Sequence, residues 1–314
     1  MARAVRPLPH HPGLVVDQPL MRVEHSRMLL HPALEHARTL MVVGAPRCGT
    51  RFAANALNRH PSILVMGEIP EPAMDHAVRL IEDNDRYFAS MPKWSAGWQR
   101  NRDCLLYQIW ASLAKGSPRL RGKPLSWFGH KTPRHDQYWE FYESRFENLK
   151  PNYVFCMRNF IDHYLSLQSM KHKDSIETVS DKYRASVNRY AGMKAALGAR
   201  VSLFILDDLR TFGIDYVRQT LFEPLAIELD ERTMSRIDVS LKANSTEGAG
   251  RTRRRELTDQ EHEFLHENKD LLEALPALRE ARPLATASPG IGSWWKKAVG
   301  IGRRVPVQRD TSRP

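Results

Sequence analysis

The chain has 314 residues, 42% hydrophobic and 26% charged. These are ordinary globular proportions that exclude wholesale disorder and leave room for one large α/β domain or two smaller ones. Lys and Arg number 47 against 36 Asp and Glu, a formal charge of +11, which points to an anionic partner: nucleic acid, a membrane surface or a phosphate-bearing small molecule.

Residues 1–37 are rich in His, Pro and Arg and read as an N-terminal extension. Pro7, Pro9, His10, His11 and Pro12 interrupt any signal-peptide core. Leu40 to Val43 is a short apolar run ending at Gly44 and reads as a buried strand. Thr50 to Arg59 reads as a helix stopped by Pro61, and residues 62–66 as a second strand. Residues 71–128 read as mixed and mainly helical, with loops near Pro92 and over 116–124. A helical stripe follows over 136–146, then a strand at 153–157 and a helix over 161–170. Val201 to Leu206 is a further strand, with a helix near 214–222. Thr258-Asp-Gln-Glu261 is a capping box opening a helix toward Leu275. Residues 283–314 read as a basic, flexible C-terminal tail. Strands alternating with helices predict a parallel sheet flanked by helices on both faces, within one domain over 38–282.

The charge is uneven. Residues 283–314 carry +5 and residues 1–40 carry +2, leaving +4 for the middle. Cys48, Cys104 and Cys156 are too few for a disulfide framework and lack metal-ligand spacing, so a reducing, cytoplasmic setting and no metal are expected. No apolar run approaches the ~18 residues of a membrane span.

Two strand–loop–helix segments carry the chemistry. The first is Gly44-Ala-Pro46-Arg47-Cys48-Gly49-Thr50-Arg51-Phe52. Backbone N–H groups and a helix N-terminus at such a loop suit an anion. Gly44 and Gly49 have nucleotide P-loop spacing, but Thr50 and Arg51 stand where Lys and Ser/Thr would hold the phosphates and Mg²⁺ of an NTP. The second places Arg158 at a strand end and Ser166 eight residues on, a guanidinium and a hydroxyl suited to a phosphate dianion.

Together the two motifs resemble those of sulfotransferases that use 3′-phosphoadenosine 5′-phosphosulfate (PAPS). Pro46-Arg47-Cys48-Gly49-Thr50 is similar to the family's 5′-phosphosulfate loop. Arg158-Asn159-Phe160-Ile161-Asp162 with Ser166 is similar to its 3′-phosphate segment. His60-Pro61 through Gly67-Glu68 and Gly129-His130-Lys131-Thr132-Pro133 resemble further family stretches, of the kind seen in tyrosylprotein, carbohydrate and bacterial sulfotransferases. The resemblance spans about residues 39–275. Cys48 and Arg51 depart from the family's usual Ser and Thr/Ser.

The resemblance implies a single P-loop-type sulfotransferase domain, with PAPS as co-substrate and no metal. It implies donor binding by Pro46, Arg47, Cys48, Gly49, Thr50, Arg51, Phe52, Arg158 and Ser166. Arg251 and Arg253 belong to a late basic run that would close over the donor. Arg47 and Lys131 would stabilise the leaving bisphosphate, and Glu68 would be the base, with His130 as its rival. Cys48 reads either as a small residue filling a slot or as a thiol whose pKa a helix N-terminus lowers. The acceptor would be a small molecule, carbohydrate or peptide. Nucleic acid is not expected, because the central charges resolve into two local anion sites. The Trp294-Trp295-Lys296-Lys297 tail segment reads as disordered or as a weak contact with an anionic membrane surface. The competing readings are a P-loop kinase or NTPase and a non-catalytic basic binding module.

Overall fold

A computed structural model of the protein describes residues 32–34, 36–114, 117–121, 124–145, 150–170, 174–240 and 256–279. The N-terminal extension, the basic run at 251–255 and the C-terminal tail lie outside the described residues.

Five strands, β1 (Arg38–Gly44), β2 (Ile63–Met66), β3 (Trp127–Lys131), β4 (Asn152–Met157) and β5 (Val201–Ile205), form one parallel sheet in the order β2-β3-β1-β4-β5. The helices are α1 (Thr50–Leu57), α2 (Glu71–Ala89), α3 (Pro92–Ala114), α4 (Trp139–Arg145), α5 (Phe160–Gln168), α6 (Ile176–Leu197), α7 (Asp208–Val217), α8 (Glu231–Met234), α9 (Asp259–Glu267) and α10 (Asp270–Arg279). The chain divides into two compact units. The described residues up to Met41, with Leu57–Thr132 and Glu140–Asn152, form the first. Val42–Ala56, Pro133–Trp139 and the described residues from Tyr153 onward form the second.

In the first unit β2 and β3 pair parallel, with Ile63 opposite Trp127 and Met66 opposite His130. Residues 71–128 were expected to be mixed and mainly helical, and no strand was expected at 127–131. Gly129, His130 and Lys131 hide the β signal, yet every residue of β3 is buried. Gly129 is required by close packing: a Cβ there would stand 1.7 Å from the Leu40 carbonyl oxygen. The loop expected near Pro92 is the break at residues 90–91, and Pro92 itself opens α3, which suits its fixed φ at a helix start. Met74, Ala77, Val78 and Ile81 bury one stripe of α2. Asp85 on α2 accepts hydrogen bonds from Trp98 Nε1 (2.6 Å) and Arg102 (3.1 Å) on α3, and pairs with Arg145 at 3.2 Å.

In the second unit β4 pairs parallel with β5, from Tyr153 opposite Val201 to Met157 opposite Ile205. Phe52 of α1 stacks on Phe204 at 5.7 Å between ring centroids. The 22-residue α6 was not anticipated. Ser175 caps it, and Ile176, Val179, Tyr183, Val187 and Tyr190 bury its inner stripe. The helix expected near 214–222 begins earlier, at Asp208, and Gly213 departs from helical geometry inside it. The Thr258–Glu261 capping box is present, but α9 stops at Glu267. Asn268 Nδ2 and N–H both turn back to the Phe264 carbonyl (2.8 and 3.0 Å), and α10 starts afresh at Asp270.

Candidate active site

The end of β1 sets up the first half of the candidate site. Gly44 adopts φ +119, and a Cβ there would meet the Cys156 carbonyl oxygen of β4 at 2.2 Å. The chain then turns through Pro46 and Arg47, whose φ of 69 is left-handed and rare for a side chain of that size. Cys48 N–H closes the turn on the Ala45 carbonyl (3.3 Å), and α1 follows. Thr50 is buried, Arg51 is exposed on the first turn, and Phe52 is in the core.

The second half starts where β4 ends. Asn159 caps α5 by accepting from Asp162 N–H at 2.8 Å. Asp207, just past β5, fixes that cap by accepting from Asn159 N–H (2.7 Å) and Nδ2 (2.6 Å). Arg158 is therefore held rigidly at the mouth of the sheet, with Tyr183 donating to its carbonyl at 2.8 Å. Its residue is 7% exposed, and one guanidinium nitrogen stands 3.5 Å from Asp162. Arg158 Nε is buried with no hydrogen-bond partner among the described residues. Such a group is costly unless something satisfies it.

The two halves meet directly. Arg47 Nε donates to Ser166 Oγ at 3.0 Å, across 119 residues of sequence. Beneath that contact, Cys48 Sγ lies 3.5 Å from Nδ1 of His163, a buried residue of α5. Burial pushes the Cys48 thiol up to about 12, outweighing the pull of Arg158. The lowered thiol pKa that a helix N-terminus could have produced is not found, because desolvation of the thiolate dominates. Cys48 is a protonated thiol filling a closed slot.

His163 is the residue sequence reasoning missed most clearly. Burial first, then the charges of Arg158, Arg134 and Arg47, lower its pKa to about 3 against an ordinary 6.5. A hydrogen bond to the Pro46 backbone opposes them. A neutral imidazole thus ties α5 to Pro46 and Cys48 of the loop. This carries a pH consequence. The unfolded chain takes a proton on His163 below about 6.5 and the folded chain does not. Its stabilising contribution is therefore complete above 6.5 and declines as pH falls toward 3, by about 1.4 kcal/mol per pH unit. In urea titrations from pH 7 to 4, His163→Asn is expected to lose stability less steeply than the parent. Parallel loss would show that His163 is not the group responsible.

The remaining candidates lie in the first unit. Lys131, at the end of β3, pairs with Glu68, just past β2. The Lys131 side chain is 10% exposed and that of Glu68 is 60% exposed. Thr132 Oγ1 accepts from Ile69 N–H at 3.0 Å and fixes the segment after Glu68. His130 is fully buried, 3.0 Å from Thr132 Oγ1 and edge-on to Trp110. That environment suits a packing role. Arg251 and Arg253 lie outside the described residues. Arg134 had no sequence signal beyond its place after Pro133, and Asp207 none beyond its place after a strand. Among the described residues no group of three His, Cys, Asp or Glu forms a metal-ligand set, and no helix is long and apolar enough to cross a membrane.

No family model and no curated protein matches the sequence. Solved structures do. The sulfotransferase domain of the Synechococcus PCC 7002 olefin synthase aligns over 69% of this chain and 84% of its own, with 14% identity and a TM-score of 0.42. A sulfotransferase domain from the curacin biosynthetic pathway covers 63% of this chain and 76% of its own, at 14% identity and TM-score 0.42. Sulfotransferase STF9 from Mycobacterium avium covers 64% and 67%, at 17% identity and TM-score 0.39. These TM-scores carry no argument, and any reading of activity has to rest on the chain's own residues.

Proposed function

We propose that the chain is a sulfotransferase that takes its sulfuryl group from PAPS. The observation that carries this reading is the Arg47–Ser166 hydrogen bond, which joins the two anion motifs beside the unsatisfied Nε of Arg158. One nucleotide with charged groups at both its 5′ and 3′ positions would engage both motifs. A Mg²⁺-bound NTP fits less well, because Thr50 and Arg51 replace the Lys and metal-binding hydroxyl such a loop uses.

In the reaction an acceptor hydroxyl or amine attacks sulfur, and the bond from sulfur to the bridging phosphate oxygen breaks. Adenosine 3′,5′-bisphosphate then leaves, carrying the new negative charge. Backbone N–H groups of the 44–50 loop and the Arg47 guanidinium suit that charge, and Arg158 suits the 3′-phosphate. Family resemblance assigns the acceptor's proton to Glu68 and further stabilisation of the leaving group to Lys131. Their ion pair supports this by holding a carboxylate and an ammonium together.

The test is transfer of labelled sulfuryl from PAPS to fractionated metabolites, carbohydrates and peptides. Label is expected in at least one fraction. Glu68→Gln should lower transfer by about 10²–10⁴-fold, with PAPS affinity within about twofold of the parent. Donor binding without transfer to any fraction would favour a non-catalytic binding module instead.

A further inference from the structure

Arg134 follows Pro133 directly. Three non-glycine residues among those described have positive φ: Arg47 at 69°, Arg134 at 68° and Ala226 at 53°. Two of the three are thus arginines of the same loop cluster. Left-handed backbone is unfavourable for a long side chain and persists where surrounding structure enforces it. Here the enforcement is visible: Arg134 N–H donates to the Gly44 carbonyl at 2.9 Å, the first residue of the anion loop. Arg134 is exposed, and among the described residues no carboxylate lies within ion-pair distance of it. Its charge nevertheless reaches the buried His163, ahead of that of Arg47.

The placement of the other two arginines matters as well. Arg47 is bonded to Ser166 on α5, and Arg158 pairs with Asp162 on the same helix. One nitrogen of each guanidinium is thus turned to α5, and Arg134 adds a cation at the start of the 44–50 loop. Resting on the sulfonucleotide reading, we propose that Arg134 is a third cationic contact for the donor, directed to the 5′ end held by the 44–50 loop. A strained, unpaired cation tied to that loop by its own backbone is pre-positioned for an incoming anion.

Binding of two probes to the full chain tests this: adenosine 3′,5′-bisphosphate, and adenosine 3′-monophosphate, which lacks the 5′ group. Arg134→Asn removes the guanidinium yet tolerates left-handed backbone, and thermal melting checks that the variant folds. It is expected to weaken bisphosphate binding by about 10- to 100-fold, with 3′-monophosphate affinity within about twofold of the parent. Arg134→Lys should restore part of the loss. Unchanged bisphosphate affinity in Arg134→Asn, or an equal loss for both probes, would overturn the assignment alone. Failure of the parent itself to bind the bisphosphate would overturn the donor reading, and this assignment with it.

Discussion

Replacing Arg158 by Ala is expected to reduce affinity for adenosine 3′,5′-bisphosphate by at least about 100-fold. The group is almost wholly buried, its backbone is fixed by the Tyr183 hydroxyl, and its Nε has no partner among the described residues. A charge-assisted contact made by a guanidinium already desolvated and oriented loses little entropy on binding. Removing it also strips the partner charge from Asp162 beside the same site. Arg158→Lys keeps the charge without the planar fork and should fall between parent and Ala. Adenosine 5′-monophosphate, which lacks the 3′ group, should bind parent and Ala variant alike. A uniform loss for both ligands would mean that Arg158 supports the fold rather than the 3′-phosphate.

The largest effect on stability is expected from Gly129→Ala. An alanine Cβ would sit 1.7 Å from the Leu40 carbonyl oxygen, inside any possible contact, and both partners are backbone of neighbouring strands. No side chain can rotate to relieve it, so β3 or β1 must shift. The cost is expected to be about 3–5 kcal/mol, at the exceptional end of single substitutions, read as a lower urea midpoint or as failure to fold. Gly192→Ala provides the contrast. Nothing lies within 4 Å of a Cβ there, and the residue is inside α6. That change should stabilise by about 0.5–1 kcal/mol. If Gly129→Ala were tolerated as readily, the close approach of β3 to β1 would be wrong.

What could be read from the sequence follows from which signals are local. β1, β4 and β5 are short apolar runs, and their burial is written in their composition. β3 is not, because its glycine answers to the Leu40 backbone and its His130 to Trp110, both remote in sequence. The break between α9 and α10 turned on Asn268 bonding back to Phe264, which competes with a helix signal running straight through. Motif spacing places Arg47 in a loop, Arg158 just past a strand end and Ser166 inside a helix, and the structure has them there. Their meeting was not legible, since a hydrogen bond across 119 residues has no local trace. His163, Asp207 and Arg134 were hidden for the same reason. A histidine or aspartate beside a motif acquires its role only from what folds over it.

The central claim is that the 44–50 loop and the Arg158–Ser166 helix bind the two ends of one sulfonucleotide without a metal. Calorimetric titration of the full chain with adenosine 3′,5′-bisphosphate in excess EDTA tests it most directly. One bisphosphate per chain, bound in the micromolar range or tighter and displaced by PAPS, is the predicted result. No binding in EDTA, with Mg²⁺-dependent binding of ATP in its place, would contradict the account.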